Sequence, residues 1–181
     1  TLESTKCIGL KVINAGGSEF FKNGGEVFNL DDVVPSYGVS SREILKTLNI
    51  ANEELKIKHP LHVHCNNLGL PGNIETIIET IKSAEGRRMH LAHIHFYAYD
   101  KKGKKGFSSG SLDLAEAVNS NKNITVDVGQ VMFNPTVTIS SDIMRQFSAR
   151  KNANPKKWII SEVEDGGGGI VPYHYKEKNF V

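Results

Sequence analysis

Cysteine is scarce in this sequence of 181 residues, and its two cysteines, Cys7 and Cys65, lie far apart without a Cys-X-X-Cys spacing. This scarcity argues against a disulfide framework and a structural zinc knuckle. Long apolar runs are also missing, since no stretch approaches the roughly 18 residues of a membrane span and residues 1–6 are too polar for a signal peptide. We therefore expect a cytoplasmic protein with no membrane span.

The sequence also lacks an excess of charge of one sign. It contains 22 basic and 20 acidic residues, which give a formal net charge of +2. No global field would therefore attract nucleic acid or an anionic membrane, and we expect no nucleic-acid partner. The basic run at 101–105 is typical of a solvated loop. A hydrophobic content of 39% fits a globular protein with one sizeable core.

Short apolar runs alternate with helical patterns along the chain. This alternation predicts repeated βα units around a parallel sheet. The number of units is roughly half of that in an eight-stranded (β/α) barrel, although a small doubly wound sheet stays open as the alternative. The predicted strands are Cys7–Ile13, Leu61–Cys65, Met89–Ala98, Ile124–Gly129 and Trp158–Val163.

Three helices are predicted between these strands, each with its own start signal or apolar face. Ser40 or Ser41 is expected to cap the first helix, and Asn73 the second. The third runs from about Ser111 to Ser120. Its predicted apolar face consists of Leu112, Leu114, Ala115 and Val118.

Histidine placement is the most informative feature, because five of the seven histidines fall in the segments LHVHC and HLAHIHF. Residues two apart in a strand share a face, so His62 and His64 should point the same way. By the same rule His93 and His95 should share a face, with His90 on the opposite one. Imidazole is a good ligand for zinc and related ions. The alternative is a set of core histidines satisfied by hydrogen bonds.

The position of a histidine along its strand also matters. Active sites of parallel barrels lie at the carboxyl ends of the strands, which favours His64 over His62 and keeps His93 and His95 as candidates. We retain His62 among the metal candidates because it shares a face with His64.

Lys11 lies in a run that reads as buried, between Leu10 and Val12. A buried ammonium without a partner is costly, so this lysine should be paired, neutralised or chemically altered. The alternative is that its side chain reaches past the strand end into solvent.

Polar residues at other predicted strand ends are further candidates. Asn66 and Asn67 directly follow the second strand and could hydrogen-bond a substrate, although Asx residues before a Gly-Pro turn are commonly structural. Carboxylates at strand ends are candidate acids or ligands, or else solvated loop caps. They are Asp127, Glu162, Glu164 and Asp165.

Several segments resemble the A-type subunit of formylmethanofuran dehydrogenase. They are HVHCNNLGLPGN at 62–73, HLAHIHFYAY at 90–99 and DVGQVMF at 127–133. The segments MRQF at 144–147 and GIVPYHYKEKNFV at 169–181 look closer to the bacterial relative, the A-type subunit of the formyltransferase/hydrolase complex. The resemblance covers the whole chain, and this family belongs to the amidohydrolase superfamily.

The resemblance implies a distorted (β/α)8 TIM-type barrel that holds two divalent metal ions, usually zinc, bridged by a carboxylated lysine. By its position in IGLKVINAGG, Lys11 looks like that lysine, and His64 and His93 look like ligands from the next two strands. These three residues are therefore the implied catalytic set, with a metal-bound hydroxide as the nucleophile. Asn66 and Asn67, named above from their position after the second strand, are further candidates for orienting the substrate.

The implied reaction is hydrolysis, or formation in reverse, of the N-formyl amide of formylmethanofuran in one-carbon metabolism and methanogenesis. The implied partners are other subunits of the complex and a methanofuran-type carrier. The alternatives are an amidohydrolase for another small amide and a non-catalytic scaffold subunit. The superfamily's HxH pair on the first strand and aspartate on the last are not identifiable, so we expect residues 1–181 to be a single partial barrel domain, truncated at both ends and inactive alone.

Overall fold

The computed structural model describes residues 2–17, 19, 27–102 and 108–128, together with the backbone of two strands at 136–139 and 169–172. The predicted strand Trp158–Val163 and the candidates Glu162, Glu164 and Asp165 lie outside the described residues. Among the residues that are described, no helix has the length and apolar character needed to cross a membrane.

Short strands and four α-helices make up the described regular structure. The strands are β1 (Lys11–Ile13), β2 (Val33–Val34), β3 (Val39–Ser40), β4 (Leu61–His64), β5 (Met89–Leu91), β6 (Tyr99–Asp100), β7 (Ser108–Ser109), β8 (Ile124–Val126), β9 (Thr136–Ile139) and β10 (Gly169–Pro172). The helices are α1 (Leu2–Thr5), α2 (Ser41–Glu54), α3 (Asn73–Ser83) and α4 (Ser111–Asn119), with a 3-10 helix at Ile94–Tyr97.

The main sheet is parallel and has the strand order β1-β4-β5-β8. Helices α2, α3 and α4 connect its successive strands, and α3 packs against both α2 and α4. The predicted α/β architecture with a parallel sheet is therefore confirmed. Three two-stranded antiparallel pairs are also described: β2 with β3, β6 with β7, and β9 with β10.

The side chains of the central strands alternate between two environments, as the two-residue period of a strand requires. Leu61 and Val63 on β4, and Met89 and Leu91 on β5, are at most 1% exposed. They join Ile77 of α3 in the main hydrophobic core. The residues between them in sequence therefore lie on the opposite face of the sheet.

The helix starts confirm one predicted cap and correct another. Ser40 caps α2 in a reciprocal capping box, because its Oγ accepts the Glu43 backbone N–H and the Glu43 carboxylate accepts the Ser40 backbone N–H. The prediction that Asn73 caps α3 is wrong, since Gly72 occupies that position with a positive φ of 84°. The Asn73 amide instead donates to the carbonyls of Asn67 and Phe96.

The first strand is shorter and more exposed than predicted. Only Lys11–Ile13 form β1, and Ile8 and Ile13 are 74% and 60% exposed. The reason is that β1 is an edge strand of the described sheet, paired to β4 on one side only. Lys11 is exposed, so the prediction of a buried ammonium at this position is wrong.

The apolar face of α4 also differs from the prediction. Leu114 is buried, but Leu112 is 81% exposed and Ala115 is exposed as well. Val118 packs beside Leu114 against the core as predicted, and Ala117 joins them in place of Leu112 and Ala115. These three positions are spaced three and four residues apart, as one helix face requires.

Candidate functional site

A row of polar side chains crosses the four-stranded sheet on the face opposite the helices. Cα pairing places Lys11 of β1 beside His62 of β4, His62 beside His90 of β5, and His90 beside Thr125 of β8. Residues paired across parallel strands share a face. One further pleat towards the carboxyl ends, β4 contributes His64 to this face.

The two histidines of β4 lie on one face, as the sequence predicted, and they also contact each other. His62 Nε2 and His64 Nε2 lie 3.2 Å apart. The prediction that His90 lies on the face opposite His93 is wrong, because the His90 ring centroid is 5.0 Å from that of His62, on the face where His93 contacts His64. Cross-strand register decides this neighbour, and register is not encoded in the local histidine pattern.

The backbone at His93 leaves the strand geometry. β5 ends after three residues, and His93 adopts a left-handed conformation with φ 38° and ψ 51° before the 3-10 helix begins. The predicted strand Met89–Ala98 is therefore too long, and His93 and His95 do not share a strand face. The strand ends here because the His93 backbone N–H donates to a side chain, Asp127 Oδ1, at 2.6 Å.

Despite this departure, His93 reaches the β4 histidines. Its Nε2 lies 2.6 Å from His64 Nδ1, and the two ring centroids are 4.4 Å apart with nearly perpendicular planes. Which nitrogen donates depends on the tautomers. His95 lies within the 3-10 helix, where its ring is 3.8 Å from that of Phe96.

Asp127 contacts both His93 and His90 and so completes a ring of contacts on this face. Its Oδ1 accepts the His93 N–H, and its Oδ2 lies 3.1 Å from His90 Nε2. His90 packs beside His62, His62 contacts His64, and His64 contacts His93. We refer to His62, His64, His90, His93 and Asp127 as the histidine cluster.

The surroundings of His62, His64 and His93 favour their neutral imidazole forms. Burial, the largest cause, and the nearby His93, Lys11 and His62 together lower the pKa of His64 to about 4. Burial is also the largest cause that lowers the pKa values of His62 and His93. Neutral imidazole is the form that binds metal ions.

Asp127 remains the anionic member of the cluster. Burial would raise its pKa, but hydrogen bonds with the His93 N–H and the His90 ring lower it overall. The carboxylate side chain is 48% exposed and the His90 side chain 24% exposed. Asp127 was one of four candidate carboxylates in the sequence, and its position on the predicted fourth strand was the signal. The structure places it directly after β8. Its two partners could not be predicted from the sequence.

Asn66 and Asn67 lie beside the site but point into the fold. They are 3% and 1% exposed. Asn66 Nδ2 donates to Ser41 Oγ, whereas Asn67 accepts the Phe28 N–H and donates to the Phe28 carbonyl and Thr76 Oγ1. These contacts support a structural role, and substrate contact by either residue stays a prediction.

The chemistry of the cluster fits a transition-metal site, although its nitrogen atoms are not spaced as the ligands of one ion. Within the described parts of the chain, no group of three or more histidine, cysteine, aspartate or glutamate side chains is spaced to hold a metal ion. The imidazole nitrogens of His62, His64 and His93 instead face one another. His93 Nδ1 is buried without a hydrogen-bond partner. Converging neutral nitrogens beside an exposed lysine are the donor set that the resemblance requires.

Comparison with known proteins identifies relatives over the full length of the chain. The chain is 49% identical over 186 residues to the A-type subunit of the formyltransferase/hydrolase complex Fhc from Methylorubrum extorquens. It is 36% identical over 192 residues to protein FwdA from Methanocaldococcus jannaschii. The alignments cover 100% and 99% of this chain but 34% of each relative. No protein-family model matches the sequence.

A solved structure gives the same result. The crystal structure of the formyltransferase/hydrolase complex from Methylorubrum extorquens, determined with methylofuran, contains a chain that superposes with a TM-score of 0.72 at 48% identity. The match covers 97% of this chain and 32% of that one. The resemblance found in the sequence motifs is thus confirmed. This chain is a homologue of FwdA and of the A-type subunit of the formyltransferase/hydrolase complex, and it spans about a third of the length of those relatives.

Proposed function

We propose that the protein containing this chain hydrolyses, or in reverse forms, the N-formyl amide of a formylmethanofuran-type carrier. The observation that carries the proposal is the convergence of His62, His64 and His93 on the sheet face that also bears Lys11. The relatives support the substrate class, because one is named for a formyltransferase/hydrolase complex and its structure was determined with methylofuran.

The proposed scaffold is a (β/α)8 barrel of the amidohydrolase type. The four parallel strands of the main sheet follow one another in sequence order, and a helix connects each to the next. A doubly wound sheet reverses its strand order at a switch point, and the described parallel strands contain no such reversal. The polar face would then be the interior of the barrel at the carboxyl ends of its strands.

The proposed cofactor is a pair of divalent ions, with zinc as the first choice. Lys11, in carboxylated form, and His64 and His93 would hold the ions, with His62 as a further candidate. When bound, such a pair would supply an activated water for attack on the formyl carbon. The lowered pKa values of the three histidines keep their nitrogen lone pairs available near neutral pH.

The surrounding residues of this chain would hold the ligands in place. Tyr97 stacks on the His93 ring with centroids 5.8 Å apart, and its hydroxyl donates to the Cys65 carbonyl at the end of β4. The ring of His93 is therefore supported from the strand that carries His64. Rigid support of this kind is what a metal site needs to select its ligand geometry.

The proposed partners are other subunits of a formyltransferase/hydrolase or formylmethanofuran dehydrogenase complex, and a methanofuran-type carrier. The whole protein would therefore be assayed within its native complex. If the protein is instead a non-catalytic scaffold, a Lys11→Ala variant should assemble normally, and the rate of deformylation should not change.

The experiment measures formate release from a formylated methanofuran-type carrier by the full-length protein in its complex. We expect Lys11→Ala to abolish formate release, and the exposed Lys122→Ala control to preserve it. Unchanged release in Lys11→Ala would refute the proposed mechanism. Cyclic amides and N-formyl amino acids serve as competing substrates, and a preference for either would assign the site to another small amide.

A further inference from the structure

We propose that Asp127 is a positioning residue that keeps the histidine ligands of the proposed site converged. This inference rests on the proposed function, because it assigns a role towards the metal-binding histidines. Asp127 does not have to touch the metal or the substrate for this role. Its two carboxylate oxygens instead hold two different segments of the histidine cluster.

The first contact fixes the backbone of His93. Asp127 Oδ1 accepts the His93 N–H at 2.6 Å, and the Asp127 backbone carbonyl accepts the N–H of Ile94 at 3.0 Å. A left-handed backbone is uncommon for a residue other than glycine and needs support from its surroundings. These two bonds provide that support at the residue where the chain must leave the strand to bring the His93 ring to His64.

The second contact fixes the ring of His90. Asp127 Oδ2 lies 3.1 Å from His90 Nε2, and Thr125 Oγ1 lies 2.9 Å from His90 Nδ1. Both ring nitrogens are therefore engaged by β8 or the residue that follows it. The His90 ring is held beside His62, with the centroids 5.0 Å apart.

One carboxylate thus links both ends of the chain of histidine contacts. At one end His93 contacts His64, and at the other end His90 packs against His62. Carboxylates that orient ligand histidines commonly affect metal affinity by about 10 to 100-fold. We expect an effect of this size from the loss of Asp127.

The test compares Asp127→Ala with Asp127→Asn in the full-length protein within its complex. An asparagine can accept the His93 N–H through its Oδ1 and donate from its Nδ2 to His90 Nε2. His90 would then carry its proton on Nδ1, and the Thr125 hydroxyl oxygen would accept a hydrogen bond from it. Alanine can do neither. The matched control is Asp113→Ala, which removes an exposed aspartate from α4.

The primary readout is zinc affinity, measured by competition with a chelator and independent of turnover. We expect Asp127→Ala to weaken zinc binding by about 10 to 100-fold and to lower kcat more than it raises KM. Asp127→Asn should recover most of both losses, and Asp113→Ala should match the parent protein. Recovery by asparagine also keeps the test decisive if the alanine variant does not fold.

Two results would overturn the inference. One is wild-type zinc affinity and kcat in a folded Asp127→Ala variant. The other is a folded Asp127→Asn variant as impaired as the alanine variant, which would show that the negative charge itself is required. His64→Ala is measured in parallel to separate the two proposals. If His64→Ala also keeps its zinc affinity and activity, the proposed function has failed. If His64→Ala is impaired but Asp127→Ala is not, only the role of Asp127 has failed.

Discussion

His64 Nδ1 lies 2.6 Å from His93 Nε2, although 29 residues separate the two histidines in sequence. The contact crosses from β4 to the turn after β5, and it depends on the left-handed backbone of His93. Two half-buried imidazoles that lie this close are chemically suited to bind metal ions in one site. This pair is therefore the centre of the proposed site.

The His64 ring should matter far more than that of His95. His64 contacts both His62 and His93, whereas His95 packs against Phe96 in the 3-10 helix. We expect His64→Ala to reduce deformylation by more than the roughly 100-fold upper range seen when a supporting residue is lost. His95→Ala should have a much smaller effect. Equal losses in steady-state kinetics would contradict the assignment of these residues.

Asn67 should contribute to stability rather than to substrate affinity. Asn67→Ala would leave the Phe28 backbone and the Thr76 hydroxyl without their amide partner. The cost should be about 1 to 3 kcal/mol in the free energy of unfolding, measured by denaturant titration. It should exceed that of Asn66→Ala, whose side chain donates a hydrogen bond to Ser41.

The same pair of variants tests the predicted substrate contact. If Asn67 only supports the fold, the folded Asn67→Ala protein should keep the KM of the parent for the formylated carrier. A several-fold rise in KM without loss of stability would instead assign Asn67 to substrate binding.

The helix side of the sheet should behave as an ordinary close-packed core. Ile77 on α3 is fully buried, whereas Leu112 on α4 is 81% exposed. Ile77→Ala should therefore cost about 2 to 5 kcal/mol of unfolding free energy. Leu112→Ala should change it by about 0.5 kcal/mol or less. A larger loss for Leu112 would show that this residue is covered in the full-length protein.

The two cysteines should differ in reactivity. Burial raises the pKa of the Cys65 thiol to about 12, so at pH 8 almost no thiolate is present, and reagents have no access to it. Cys7 is exposed. Iodoacetamide should therefore label Cys7 quickly and Cys65 slowly, as peptide mass spectrometry can resolve. In denaturant both should react, and rapid labelling of Cys65 in the folded protein would contradict the described packing of β4.

The sequence predicted the parallel sheet because the apolar strands and amphipathic helices alternate in a way that local spacing reveals. It also placed His62 and His64 on one face, since that follows from the two-residue period of a strand. The cap at Ser40 was readable for the same reason, as a capping box involves residues only three apart.

The errors arose where distant residues decide the structure. His90 lies beside His62 because of the register between β4 and β5. The strand β5 ends early because Asp127 accepts the His93 N–H. Neither interaction leaves a local pattern. Lys11 was predicted to be buried from its apolar neighbours, but exposure depends on which strands flank β1.

The most direct test of the central claim is an anomalous diffraction map of the full-length protein, collected at the zinc absorption edge. We predict two peaks, with imidazole nitrogens of His64 and His93 and an oxygen of carboxylated Lys11 at about 2.0 to 2.2 Å from the ions. Absence of any peak beside these residues in active protein, with His64 and His93 still in direct nitrogen contact, would contradict the account.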